Sequence, residues 1–173
     1  SIQWALENHK PVIIEVNKNL HHMRGIFKLH VSQVERIIEV DKPEYLIPNI
    51  QSTEIEDRIG ASVAELVHDG DTIQLGIGGI PNAVGGYLRQ KNDLGIHTEM
   101  FTSSMMELIK AGNITGMKKT LDKGLHVCAF AEGVRELYPF LEENESCVMR
   151  PSNYVVNPYI IAQQENFVSI NTL

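Results

Sequence analysis

Residues 72–84 read Thr72-Ile73-Gln74-Leu75-Gly76-Ile77-Gly78-Gly79-Ile80-Pro81-Asn82-Ala83-Val84. This stretch predicts a strand over 72–77, a glycine loop and a helix over 81–90. Glycines permit a sharp turn and let backbone N–H groups approach a ligand closely. The start of a helix adds free donors and a partial positive charge. The loop therefore predicts a site for a phosphate, a carboxylate or the oxyanion of a thioester.

Strand and helix patterns alternate on both sides of this loop. Upstream, Thr53 and Glu56 form a capping-box signature, and the helix that follows has one apolar face made of Ile55, Ile59, Val63, Leu66 and Val67. Downstream, the pattern predicts strands over 95–100, 125–130, 147–149 and 167–170, with helices over 103–111, 134–141 and 157–164. Such alternation predicts an α/β fold with an open, mostly parallel, doubly wound sheet.

The first 52 residues are organised differently. A short helix and a strand over 12–16 precede residues 27–40, where an extended piece followed by a helical turn or two is predicted. Residues 41–52 contain Pro43 and Pro48 and lack periodicity, which predicts a linker. The chain thus divides into 1–40, the linker 41–52, and 53–173.

Composition excludes several classes of protein. The formal net charge is -7, and an acidic chain without a Lys/Arg cluster argues against a nucleic-acid partner. No apolar stretch reaches the roughly 20 residues of a membrane span. No signal peptide is visible, and Cys128 and Cys147 form no C-x-x-C motif, so the expected location is the cytoplasm with both thiols reduced.

Glu99 is the first candidate for chemistry. It ends the predicted strand 95–100, and ligand crevices of open α/β sheets form beyond the C-terminal ends of the strands. The glycine loop is predicted at the same edge, so Glu99 and the loop can face one crevice. A carboxylate among apolar neighbours costs free energy unless it is hydrogen-bonded or used in chemistry.

His97 lies two residues before Glu99 and shares its face of the strand. It can be a structural histidine, or it can help to keep the carboxylate ionised. The His-x-Glu pattern also occurs in zinc deaminases, but the Pro-Cys-x-x-Cys partner is missing. No metal site is predicted.

The glycine loop alone leaves other interpretations open. It can be a tight turn without a ligand. It can also bind a dinucleotide, with Gly76 and Gly78 as the first two glycines and Glu99 on the ribose, although Pro81 stands where the third glycine belongs. The Gly-Lys-Ser/Thr ending of an NTPase P-loop is absent.

The two motifs together resemble a known family. The segments 74–84 and 94–100 are similar to the glycine-rich signature and the catalytic-glutamate segment of CoA-transferases of the acetyl-CoA hydrolase/transferase family, in particular those that act on 4-hydroxybutyrate and butyrate. The similarity continues in order through 15–17, 30–32, 137–138, 150–151, 162–163 and 169–171. The resemblance implies a two-domain enzyme more than twice this length, in which 1–40 ends the first α/β domain and 53–173 begins the second.

The resemblance also implies a mechanism. Glu99 would be the nucleophile that carries CoA as a glutamyl thioester. The N–H groups around Gly76, Gly78 and Gly79, and the side chain of Gln74, would stabilise the oxyanions. Because Gln74 alternates with Ile73 and Leu75, it can equally be a structural, buried amide. CoA would be a substrate, with no permanently bound cofactor, and the partners would be acyl-CoA and small carboxylic acids in a homo-oligomeric enzyme. Acyl-CoA hydrolysis, or a fragment inactive on its own, stays open.

Overall fold

The first part of the chain forms a short helix and a two-stranded sheet in the computed structural model, which describes residues 2–26, 28–48 and 51–172. Helix α1 (Ile2–Glu7) precedes strand β1 (Ile13–Asn17), and β1 pairs in parallel with β2 (Arg36–Val40). Residues 24 and 25 then run beside a later part of the chain, because Gly25 makes a parallel bridge to Met149.

Residues 30–40 show that the predicted order of extended and helical segments was wrong. The N–H of His30 donates to Gln33 Oε1 over 2.9 Å, and the N–H of Ser32 donates to His30 Nδ1 over 3.3 Å. This reciprocal cap fixes a 3-10 turn at Val31–Gln33. The strand β2 follows because its two isoleucines and valine favour extended backbone and pair with β1. Residue 27 lies outside the described residues.

The predicted linker lies against the rest of the chain. Its described residues, 41–48 and 51–52, contain no helix or strand. The Tyr138 hydroxyl donates to Tyr45 O over 2.7 Å, and the N–H of Ile47 donates to Gly133 O over 2.9 Å. The division into 1–40 and 53–173 stays a prediction.

A second sheet, of five strands within the described residues, organises the remainder. The strands are β3 (Thr72–Leu75), β4 (Gly95–Phe101), β5 (His126–Ala131), β6 (Cys147–Met149) and β7 (Phe167–Ile170). Their order is β6-β5-β4-β3-β7, and all neighbours pair in parallel. The chain therefore winds outward from β3 in one direction and returns to its other side with β7, which confirms the predicted doubly wound α/β sheet.

Helices cover both faces of this sheet. They are α2 (Glu54–Ala64), α3 (Gly79–Tyr87), α4 (Ser103–Lys110), α5 (Leu137–Glu143), α6 (Ser152–Val155) and α7 (Pro158–Ile161). Helices α2, α3 and α4 pack in sequence, and α6 packs on β4 and β5. The sequence did not predict α6, a single turn that follows Pro151.

The helix α2 begins as predicted, but only part of its predicted apolar face is buried: Val63 and Val67 pack on the core. Its capping box is confirmed, since the N–H of Thr53 donates to Glu56 Oε2 over 2.7 Å. The contact with α3 is made by small residues: a Cβ at Gly60 would come within 2.7 Å of the Ala83 Cβ. Ile55 is 70% exposed. Close helix packing, which needs the smallest side chains, therefore outweighs the apolar stripe and places α3 against the sheet.

Candidate active site

The glycine loop connects β3 to α3 at the C-terminal edge of the sheet. The N–H of Gly76 donates to Ile170 O over 2.8 Å, which continues the β3–β7 ladder beyond Leu75. Gly78 has a φ of 126°, a conformation that L side chains rarely adopt, and is the N-cap of α3 without a side-chain cap. The N-cap therefore supplies no acceptor to the N–H groups of Gly79 and Ile80, and Pro81 in the same turn has no N–H.

Gly79 also has a packing role. A Cβ at Gly79 would collide with the carboxylate of Glu56, which caps α2. A glycine therefore allows the start of α2 to approach the start of α3. The Glu56 carboxylate beside the positive end of α3 is also favourable electrostatically.

Glu99 is the exposed residue of an otherwise buried strand β4. No hydrogen bond or ion pair to Glu99 occurs among the described residues. The expectation that its apolar neighbours would make the carboxylate costly is therefore not met in this chain, because the side chain reaches solvent. It is an accessible carboxylate on a rigid central strand.

The sheet register places two small residues on either side of Glu99. Thr72 pairs with Gly95 and Ile73 with Ile96, so extending this register by three residues sets Gly76 opposite Glu99. On the other side, Thr98 pairs with Cys128 and Met100 with Phe130, which sets Ala129 opposite Glu99. Paired residues of parallel strands share a face, about 4.8 Å apart. Neither neighbour crowds the carboxylate.

His97 lies below Glu99 on the same face and is fully buried. Its Nε2 lies 2.8 Å from Val155 O, and its ring centroid lies 6.0 Å from those of Tyr154 and Phe167. Burial lowers the pKa of His97, which keeps the ring neutral. Since Nε2 is engaged by Val155, the geometry makes His97 an anchor for α6, and no hydrogen bond to Glu99 is found in the described part of the chain.

Gln74 belongs to a polar clasp between β3 and β7, formed by Gln74, Ser169 and Asn171. Ser169 Oγ donates to Gln74 Oε1 over 2.5 Å, Asn171 Nδ2 donates to the same oxygen over 2.9 Å, and Gln74 Nε2 donates to Asn171 Oδ1 over 3.2 Å. The Gln74 amide, one of the candidates for stabilising an oxyanion, is thus hydrogen-bonded within the protein. Asn171 leans over Gly76, whose Cβ would come within 2.7 Å of Asn171 Oδ1.

Sequence reasoning did not assign Ser169 and Asn171 to the site. Their spacing of two along a strand places them on one face, and this signal was present in the Ser169-Ile170-Asn171 segment. Only the position of β7 beside β3 shows that the face is the one that carries Gln74.

A charged cluster lies under the same face of the sheet. Lys119 Nζ donates to Ile96 O over 2.9 Å, and burial lowers the pKa of Lys119 to about 8. Asp122 accepts hydrogen bonds from Arg150 over 2.9 Å and from the Tyr154 hydroxyl over 2.7 Å. These contacts fix the loop before β5 and the start of α6 against the sheet, so their charges are used structurally.

The opposite face of the sheet edge carries a cavity of about 240 Å³. It is bordered by the glycine loop at Ile77 and Gly78, by Met100 and Thr102, and by the start of α4 at Ser103. Because Met100 and Glu99 point to opposite faces of β4, Glu99 does not contribute to this cavity. The glycine loop therefore borders a cavity on the face of the sheet away from Glu99.

Other chemistry finds little support in the described ranges. No group of three His, Cys, Asp or Glu side chains there is arranged to hold a metal ion. Burial raises the pKa of Cys128 and of Cys147 to about 12, so neither thiol is a ready nucleophile. None of the helices between residues 2 and 172, where described, is long and apolar enough to cross a membrane.

Comparison with known proteins points to one family. Residues 133–173 match the acetyl-CoA hydrolase/transferase C-terminal domain family. The chain is 42% identical over 168 residues to 4-hydroxybutyrate coenzyme A transferase of Clostridium kluyveri, covering 97% of this chain and 39% of that protein. It is 36% identical over 172 residues to butyryl-CoA:acetate CoA-transferase of Anaerostipes caccae, covering 96% of this chain and 39% of the relative.

Solved structures give the same result. The crystal structure of 4-hydroxybutyrate CoA-transferase from Porphyromonas gingivalis superposes with a TM-score of 0.88 at 43% identity, covering 98% of this chain and 43% of that one. RipA from Yersinia pestis superposes with a TM-score of 0.83 at 39% identity, covering 93% of this chain and 38% of RipA. The chain thus spans about two fifths of the length of these relatives. The predicted resemblance is confirmed: this chain is a relative of the CoA-transferases of the acetyl-CoA hydrolase/transferase family.

Proposed function

We propose that the protein is a CoA-transferase in which Glu99 is the nucleophile. The observation that carries the proposal is the position of Glu99, an exposed carboxylate on the central strand that lies opposite Ala129. Extending the β3–β4 register from Ile73 and Ile96 also sets Gly76, at the start of the glycine loop, opposite Glu99. The substrates proposed are a short-chain acyl-CoA, such as 4-hydroxybutyryl-, butyryl- or acetyl-CoA, and a carboxylic acid. CoA enters as a substrate, and the proposed reaction includes no permanently bound cofactor.

The chemistry needs a carboxylate that can form and break acyl bonds. Glu99 attacks the thioester carbonyl, a C–O bond forms, the C–S bond breaks, and CoA leaves as a thiolate. The thiolate attacks the glutamyl carbonyl of the mixed anhydride, which forms a glutamyl-CoA thioester and releases the first acid as a carboxylate. The acceptor carboxylate then reverses both steps, so the new acid leaves as its CoA thioester and Glu99 is regenerated. This is covalent catalysis that retains the thioester bond energy.

Each attack passes through an oxyanion, which the loop can stabilise. The donors proposed are the N–H groups around Gly78 and Gly79 at the start of α3, whose N-cap has no side-chain acceptor. The N–H of Gly76 already donates to Ile170 O. The proposed role of Gly76 is therefore to leave space beside Glu99. Gln74 can contribute through its amide if the clasp with Asn171 opens. His97 supports the site by holding α6 against β4.

Acyl-CoA hydrolysis is the second candidate, and the exposure of Glu99 favours it, because water can reach an intermediate there. Rates measured with and without an acceptor carboxylate separate the two activities. We also propose that the protein is a homo-oligomer and lies in the cytoplasm. The two buried free thiols support the location, because they suit a reducing compartment.

Exchange of CoA between butyryl-CoA and acetate tests the role of Glu99. The variant Glu99→Gln keeps the size of the side chain and removes the nucleophile, so the rate should fall by a factor on the order of 10³ or more. Glu39→Gln is the matched control, since Glu39 is also exposed on a strand, and should transfer normally. Transfer by Glu99→Gln at the unmodified rate would contradict the proposal.

A further inference from the structure

A second cavity, of about 360 Å³, lies where the first residues of the chain meet the edge of the large sheet. The N–H of Met149 donates to Arg24 O over 2.6 Å, and Gly25 bridges to Met149, so this segment extends the sheet beyond β6. The apolar part of the lining comes from Ile2, Met23, Ala129, Met149 and Pro151. The volume lies near the lower end of sites that hold small molecules.

The cavity lies at the edge of the large sheet and reaches both of its faces, since Met149 pairs with Cys128 and belongs to the face that does not carry Glu99. Ala129 lines it, and the β4–β5 register places Ala129 directly opposite Glu99. One strand spacing, about 4.8 Å, separates the two residues. Because alanine ends at a methyl group, the Ala129 side chain takes up little of the space between the carboxylate and the cavity. The 240 Å³ cavity, by contrast, lies on the Met100 face.

The charge in the lining is already neutralised. Arg150 borders the cavity, but its guanidinium donates to Asp122 over 2.9 Å and lies 5.9 Å from the Tyr154 ring centroid. Ser152 and Asn153 contribute polar groups at the exposed start of α6. An uncharged, mostly apolar group therefore suits this space better than a phosphate or a second carboxylate.

We infer that this cavity holds the acyl chain of the thioester while Glu99 attacks its carbonyl, and that Ala129 and Met23 set the acceptable chain length. The inference rests on the proposed role of Glu99. A thioester carbonyl at Glu99 places its first acyl carbons over Ala129, and a longer chain continues toward Met23. Each methylene buried there should raise kcat/KM roughly fourfold until the space is filled.

Two substitutions of opposite sense test the inference in the purified protein. Ala129→Leu fills the entrance, so the ratio of kcat/KM for butyryl-CoA to that for acetyl-CoA should fall by roughly tenfold or more. Met23→Ala enlarges the far side, so the ratio for hexanoyl-CoA to butyryl-CoA should rise. Each ratio is measured within one preparation and does not depend on how much of it is folded.

Two control variants isolate the cavity from general effects. Ala131→Leu makes the same change two residues further along β5, and Met117→Ala makes the same change at a half-exposed methionine; neither residue borders the cavity. Both should leave the chain-length ratios unchanged. Unaltered ratios in Ala129→Leu and Met23→Ala, with transfer still occurring, would overturn the inference alone. CoA transfer that does not depend on Glu99, shown by an active Glu99→Gln variant, would instead overturn the proposed function.

Discussion

Replacing Gly76 by alanine should damage the clasp between β3 and β7. The added Cβ would lie 2.7 Å from Asn171 Oδ1 and 3.3 Å from Ile170 O. The backbone oxygen is fixed by its hydrogen bond to Gly76, so the Asn171 side chain must move. Its movement breaks the hydrogen bonds that Asn171 shares with Gln74.

The expected destabilisation follows from three terms. Crowding of a packed site costs about 1–3 kcal/mol, and lost hydrogen bonds at this exposed edge add at most about 1 kcal/mol. The reduced freedom of alanine in the unfolded chain offsets about 0.4–1 kcal/mol. The free energy of unfolding should therefore fall by about 1–2 kcal/mol, which lowers Tm by roughly 2–8 °C for a chain of this size.

Denaturant and thermal unfolding of a double-mutant cycle measure this effect. Asn171→Ala removes the colliding side chain, so Gly76→Ala should cost about 1 kcal/mol less in that background than alone. The matched control is Gly86→Ala in α3, because its Cβ would meet no atom within 4 Å; it should stabilise the helix by up to about 1 kcal/mol. Additive effects of Gly76→Ala and Asn171→Ala would refute the assigned contact.

Two further predictions concern buried histidines. His97→Gln, whose amide can still donate to Val155 O, should leave the pH profile of kcat/KM unchanged, and an altered acidic limb would show that His97 acts on Glu99 directly. Burial lowers the pKa of His126 to about 4 from an ordinary 6.5. As the pH falls, His126 is therefore protonated in the unfolded chain before it is protonated in the folded chain. The free energy of unfolding should decrease as the pH falls from about 6.5 to about 4. The loss of stability should reach about 3 kcal/mol at most. Urea unfolding between pH 7.5 and 4.5 measures it: His126→Asn should flatten the dependence of stability on pH. The control His9→Asn, at an exposed position, should leave that dependence unchanged.

The elements around the site were predictable from local pattern. Glycines and a proline predict the β3–loop–α3 unit, a capping box predicts the start of α2, and apolar runs predict where the strands lie along the chain. Local pattern also placed Glu99 at the end of β4. The return of β7 to the free side of β3 depends on long-range pairing, and no periodicity within 167–170 reveals its neighbour.

The environments of individual side chains were less predictable. The sequence left Gln74 with a catalytic or a structural role, and it gave no sign that Ser169 and Asn171, about 95 positions later, would engage its amide. The predicted apolar face of α2 packs through Val63 and Val67, but the close contact of Gly60 with Ala83 was not predicted. These outcomes depend on which elements become neighbours in the fold, and the local sequence of one segment does not predict its neighbours.

Trapping the covalent intermediate tests the central claim most directly. The purified protein is incubated with butyryl-CoA and borohydride, digested, and analysed by mass spectrometry. A glutamyl-CoA thioester at Glu99 would be reduced to the alcohol, so the peptide that contains Glu99 should lose about 14 Da, one oxygen exchanged for two hydrogens. An unchanged Glu99 peptide in a preparation that transfers CoA, or the same loss at another carboxylate, would contradict the account.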